Sequence, residues 1–321
     1  MDPGGVVPRR LPVPAAILVI LLAVAACAAP PAEEEPGCGV APDGFEHAHA
    51  QVGEDRLHYV VGGEGPPVVL LHGFPETWQA WRGVMAALRA EHRVLAVDLP
   101  AMGCSSSTAG TGQRGMDKTS LARTVHGLVR QLNLGPVAMT GHDMGGMVAY
   151  AYARTFPQET SHLAVAGALL PGYGLQTLID PPPGQNGLPH LRWFMTRPEQ
   201  AQRAITSDPR GFLTRFIATP EVLSSPAFED YVRVYSQPER TAAALRLYRT
   251  LPADAAANRR AARVPMPGLA VDGASGMPES VATSLQRAGT SVRAEAIPDA
   301  GHYAPEQNPD AFAEVLRRFL G

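Results

Sequence analysis

The chain lacks an excess of either charge: 27 Lys and Arg against 30 Asp and Glu leave a formal net charge of -3 over 321 residues. Such a balance offers no basic groove for nucleic acid and no acidic tail for a charge-based partner. Cysteine is scarce, with three residues at positions 27, 38 and 104. No Cys-x-x-Cys pair and no His/Cys cluster at metal spacing appears, so a structural zinc has no support. Cys38 and Cys104 stand far apart, and spacing alone does not say whether they meet. A phosphate-binding Gly loop after the first strand is also missing, and no cofactor of any kind is expected. There is no internal repeat. Only 18% of residues are charged and 45% are hydrophobic, enough for a substantial core in one large domain with an insertion. Gly 32 and Pro 31 are dispersed without a collagen-like period and mark turns.

The N-terminus stands apart. Arg9 and Arg10 precede an apolar stretch from Leu11 to Ala26 that is short for a membrane span and ends in small residues, the layout of an export signal. Val24 to Cys27 (VAAC) resembles a bacterial lipobox. That implies a signal peptide over 1–26, a lipid on Cys27 and a flexible tether over 27–44, with the protein held at the outer face of the bacterial cell membrane. Simple secretion, or an uncleaved anchor helix, is the alternative.

Beyond Phe45 short apolar strands alternate with amphipathic helices. Leu57–Val61, Val68–Leu71, Val94–Val97, Pro136–Thr140, Leu163–Gly167, Gly268–Val271 and Ser291–Ile297 are expected strands. Helices are expected over Trp78–Ala90, Ser120–Leu132, Met144–Phe156, Glu279–Ala288 and after the N-cap Asn308. This alternation implies an α/β fold with a mostly parallel sheet and helices on both faces. Between about Pro171 and Arg263 the pattern is helical without an apolar strand, so residues 171–262 are expected to form an inserted helical cap on a core of 45–170 and 263–321.

Three motifs carry chemistry. Thr140–Gly146 (TGHDMGG) follows a strand and opens a helix, giving Asp143 the central place of a G-x-Nu-x-G elbow. A carboxylate is nucleophilic at neutral pH without a base, and its attack on carbon leaves an ester that water must split. Leu70–Trp78 (LLHGFPETW) ends an earlier strand, where the backbone N–H of Phe74, with that of Met144, can stabilise an oxyanion. Pro298–Pro309 (PDAGHYAPEQNP) brings His302 past the last strand as the base for water. Other histidines, His72 among them, are expected to be structural.

Together, HGFPETW, DLPAMG, GHDMGG and GHYAPEQNP resemble the epoxide hydrolase and dehalogenase branch of the α/β-hydrolase superfamily, over nearly everything from Phe45 to Gly321. The resemblance implies two cap donors facing the nucleophile. His190, in Pro189–Met195 (PHLRWFM), and Tyr248, near the end of Tyr235–Arg249, match the family's segments, with Tyr235 a reserve phenol. It further implies hydrolysis of a small apolar epoxide to a vicinal diol through an ester on Asp143. Dehalogenation of a halogenated substrate is the alternative on the same scaffold. Met144 and Leu191 stand where dehalogenases of this branch keep halide- or carboxylate-binding residues.

One departure bears on turnover. The family's triad acid has no obvious counterpart: Gly167 and Ala168 follow one strand, and Gly276 stands near the other usual place. Asp272, several residues early, orients His302 if the loop folds back. Without an acid, a binding protein with a degraded triad is the reading from another class.

Overall fold

The computed structural model describes residues 1, 2, 4, 5, 37–107 and 115–321. The export segment, Cys27 and the tether as far as residue 36 lie outside them. No helix among the described residues is long and apolar enough to cross a membrane.

Nine strands form one sheet: β1 (Phe45–Val52), β2 (Asp55–Gly62), β3 (Pro67–Leu71), β4 (Arg93–Val97), β5 (Ser106–Ser107), β6 (Val137–His142), β7 (Thr160–Ala166), β8 (Val264–Gly273) and β9 (Gly289–Ile297). Their order is β1-β2-β4-β3-β6-β7-β8-β9, with β5 beside β2. Pairing is parallel from β4 through β9 and antiparallel at the β1-β2-β4 edge. Period-two alternation feeds two apolar layers: Val69 and Leu71 of β3 join the cluster on one face, Val68 and Leu70 that on the other. Burial on both faces is why this strand has no polar residue.

On the core side are α1 (Arg82–Leu88), α2 (Lys118–Gln131) and α3 (Met144–Thr155). The expected helix from Trp78 is divided, a 3-10 turn over Trp78–Trp81 preceding α1. The Trp78 N–H donates to Asp98 Oδ1 at 2.8 Å, which pins this turn to the end of β4. Between β7 and β8 lie α4 (Gln176–Ile179), α5 (Pro189–Thr196), α6 (Pro198–Ser207), α7 (Pro209–Ile217), α8 (Pro220–Leu223), α9 (Pro226–Tyr235), α10 (Pro238–Arg249) and α11 (Leu251–Arg260). Proline opens each of α5 to α10, where its missing N–H costs nothing and its fixed φ starts the next helix. The chain then completes the core with α12 (Pro278–Ala288), α13 (Ala304–Gln307) and α14 (Pro309–Leu320).

The sheet grows outward in opposite directions from β3 and β6, so a crevice opens at the carboxyl ends of these two neighbours. The loops that leave β3 and β6 are the ones that carry Phe74 and Asp143. Cys38 and Cys104 are joined in a disulfide, with Cα atoms 5.8 Å apart, which fastens the residues ahead of β1 to the loop after β4. The Trp78 indole N–H also donates to the Cys38 carbonyl at 2.8 Å.

Candidate active site

Asp143 sits between β6 and α3 with φ 49° and ψ -120°, a conformation that non-glycine residues rarely adopt. Such backbone costs about 1–3 kcal/mol and persists because neighbours over-determine it. Here the Asp143 N–H donates to the Ala166 carbonyl at 3.0 Å, and the Asp143 carbonyl accepts from the Gly146 and Met147 N–H groups. Glycine at 145 is required, since a Cβ there would overlap the Leu71 and His72 carbonyl oxygens. The turn lifts the carboxylate above the sheet edge. Its Oδ1 accepts the Phe74 N–H at 3.1 Å, and its Oδ2 lies 3.9 Å from His302 Nε2. Met144 begins α3, so its backbone N–H belongs to the first helical turn, whose donors have no partner within the helix.

A cavity of about 400 Å³ lies between the sheet edge and the helical segment. Phe74, Asp143, His302, Asp272, Tyr248 and His190 all reach it, with Leu169, Leu175, Leu191, Phe216, Ile217 and Met277 among its apolar walls. Tyr248 is 2% exposed, packed edge-on against Phe194 and Phe74, and its hydroxyl makes no hydrogen bond to the described residues. Burial holds its phenol well above the usual range, so it carries its proton. Burial also lowers His190. The reserve phenol is elsewhere: Tyr235 donates to the Glu76 carbonyl at 3.0 Å and does not line the cavity.

Asp272, near the carboxyl end of β8, does not hydrogen-bond to His302. Its Oδ1 accepts the Gly273 N–H at 2.9 Å and its Oδ2 the Met277 N–H at 2.8 Å. The loop folds back closely enough that a Cβ on Gly276 would come within 2.7 Å of Asp272 Oδ2. Burial raises the Asp272 carboxyl, and the two N–H groups and the nearby histidines oppose that rise. Among the described residues Asp143 is the one carboxylate in ion-pair contact with His302. At the first expected acid position, Gly167 leaves only backbone, and a Cβ there would stand 3.1 Å from His302 Nδ1.

Two buried ionisable groups of the site are not singled out by any sequence motif above. Glu76 and His142 are fully buried beneath His302. His142 Nδ1 meets Glu76 Oε2 at 2.8 Å, and its Nε2 meets the His302 carbonyl oxygen at 2.7 Å. Both ring nitrogens therefore face acceptors, which requires a proton on each. Burial works against that charge, but the Glu76 carboxylate and its hydrogen bond raise His142 to about 9. For Glu76, burial pushes upward and is outweighed by His142 and the Gly73 N–H, so the carboxyl lies below its usual value. The His142 ring centroid is 4.7 Å from that of His302. Burial first, then this positive neighbour, lowers His302 and favours its neutral imidazole. Glu directly after HGFP and His directly before Asp143 were the available signals. His72 braces the loop as expected, its Nε2 accepting the Leu99 N–H at 3.1 Å and its Nδ1–H donating to the Gly73 carbonyl at 2.8 Å.

Residues 68–315 match the model of the alpha/beta hydrolase family. A soluble epoxide hydrolase of Corynebacterium sp. (strain C12) is 30% identical over 282 residues, covering 85% of this chain and 96% of its own. A fluoroacetate dehalogenase of Burkholderia sp. is 27% identical over 298 residues, covering 87% and 94%. The crystal structure of Cfl2 from Burkholderia cenocepacia superposes with a TM-score of 0.77 at 33% identity, over 87% of this chain and 96% of that one.

Proposed function

The chain belongs to the alpha/beta hydrolase family and is a hydrolase, and from that premise we propose that it opens an epoxide by attack of the Asp143 carboxylate. The observation that carries this reading is the meeting in one cavity of a carboxylate with Tyr248 and His190, two donors from the helical segment that have no hydrogen-bond partner among the described residues. Asp143 Oδ2 bonds to an epoxide carbon, the ring C–O bond breaks, and the departing oxygen takes the Tyr248 proton with His190 assisting. His302 then removes a proton from water, and the hydroxide adds to the ester carbonyl carbon. The oxyanion so formed is held by the Phe74 and Met144 N–H groups, and its collapse releases a vicinal diol and restores Asp143. Protons return to Tyr248 and leave His302, so the cycle consumes one water. Asp272 is proposed to favour the His302 imidazolium through its charge, without a hydrogen bond.

The cavity walls are chiefly apolar, which favours an apolar epoxide over a small haloacid; tryptophan is absent from the described lining. A halide-release assay run beside a diol assay separates the dehalogenase reading. Intact-mass analysis with a panel of epoxides tests the mechanism. The His302→Ala protein should accumulate a substrate adduct and the Asp143→Ala protein none; an adduct on the latter would sink the assignment. We also propose export to an oxidising compartment, with lipid attachment at Cys27. The Cys38–Cys104 disulfide supports export, since such bonds persist outside the reducing cytosol. Recovery of the native protein in the cytosolic fraction overturns it.

A further inference from the structure

Among the described residues the Tyr248 hydroxyl has no hydrogen-bond partner, so the place of that oxygen depends on where the end of α10 is held. That end is held by a lysine of the core. Lys118, the first residue of α2, is 1% exposed, and its ammonium donates to the carbonyl of Leu247, the residue directly before Tyr248. The same ammonium donates to Thr250 Oγ1 at 3.0 Å and lies 3.1 Å from Asp254 Oδ2. The Lys118 N–H donates to Asp254 Oδ1 at 2.9 Å. All of these contacts reach across to one stretch, 247–254, where α10 passes into α11.

This is a costly way to join two helices. Burying an ammonium forfeits several kcal/mol of hydration, and a cation at the start of α2 opposes that helix's dipole. An apolar side chain could fill the space without either cost. A cation is instead well matched to the end of α10, where carbonyl groups lack partners within the helix. Ammonium donors directed at separate acceptors fix position and angle, which packing alone does less strictly.

We propose that Lys118 is a positioning residue for epoxide opening: its grip on the Leu247 carbonyl and on Asp254 sets the Tyr248 hydroxyl over the cavity opposite Asp143. The inference rests on the reading of Tyr248 as the proton donor. It separates the two chemical steps, because ester formation needs Tyr248 whereas ester hydrolysis needs His302.

The test uses the full-length enzyme and single-turnover kinetics with an apolar epoxide such as styrene oxide. Lys118→Met combined with Asp254→Asn removes both buried charges and keeps an acceptor for the residue-118 N–H, and a thermal melt verifies that the variant is folded. Ester formation should slow by about tenfold to a hundredfold, the size expected for a misplaced reacting group, while ester hydrolysis stays near the parent rate. In a Tyr248→Phe background the same double change should cost ester formation nothing further. Equal slowing of both steps, or an undiminished effect in the Tyr248→Phe background, overturns the proposal for Lys118 alone. Should Tyr248→Phe by itself leave ester formation untouched, the donor role and this proposal fall together.

Discussion

The two walls of the cavity are built in opposite ways. On the sheet side the functional groups are tied: Asp143 to Phe74, Asp272 to Gly273 and Met277, and His142 to both Glu76 and the His302 carbonyl. On the helical side Tyr248 and His190 face the cavity with no hydrogen bond among the described residues, positioned by aromatic packing against Phe194 and Phe216. Under the proposed mechanism the contrast sets a carboxylate already held by a backbone donor against two donors left unsatisfied until charge forms on the substrate oxygen.

The sharpest way to break this contrast is Tyr248→Phe, which removes a hydroxyl with no hydrogen-bond partner among the described residues. Stability should hardly change, while ester formation falls by about a hundredfold to a thousandfold, the cost of losing one oxyanion donor. A large loss of stability would mean that Tyr248 is as tied as its counterparts across the cavity. On the tied side the expectation reverses. Glu76→Gln leaves a buried imidazole without its anion and should destabilise the fold by about 3–5 kcal/mol, read by chemical denaturation.

The pH dependence of that pair has a definite sign. His142 is raised in the folded state to about 9, so its contribution is complete below the unfolded value of 6.5 and fades as pH rises through about 9. Glu76 is lowered, and its contribution is lost as pH falls through its folded value. In the Glu76→Gln protein the alkaline loss should vanish. With the His142 charge gone from beside His302, the acidic limb of activity should move to higher pH. An unmoved limb would mean that His142 does not tune the base.

A stability effect of the opposite sign concerns Glu306, whose Oε2 accepts the Tyr231 hydroxyl at 3.2 Å. Burial first, then Glu76, raises this carboxyl to about 8. The unfolded chain ionises near 4.5 while the folded one resists, so stability declines between these values. Glu306→Gln should therefore be more stable than the parent at pH 8 and no more stable at pH 4. A gain equal at both pH values would exclude the titration as its cause.

How much of this was legible in the sequence depends on the kind of contact. Asp143, His302 and Phe74 lie in motifs where local spacing and strand-to-helix order imply position, and all three line one cavity. The strands of the sheet centre were visible because burial on both faces leaves only apolar residues. β1 was not: its sequence FEHAHAQV is that of an edge strand half open to solvent. Glu76 and His142 were missed because their pairing depends on which way a strand-end side chain turns, and one-residue steps decide that. Asp272 illustrates the same limit, since a carboxylate beside His302 in the fold need not point its oxygens there. Tyr235 and Tyr248 are alike in sequence, and only the packing of α9 and α10 commits the first to Glu76 and leaves the second free. The Cys38–Cys104 pairing spans 66 positions and is set by the tertiary fold alone.

That disulfide has a mechanical consequence. Among the described residues β1 is the outermost strand and pairs with β2 alone through backbone hydrogen bonds. A pull on the chain ahead of residue 38 would peel such a strand one bond at a time. With Cys38 fastened to Cys104, such a load passes into the loop after β4 and bypasses the exposed edge strand.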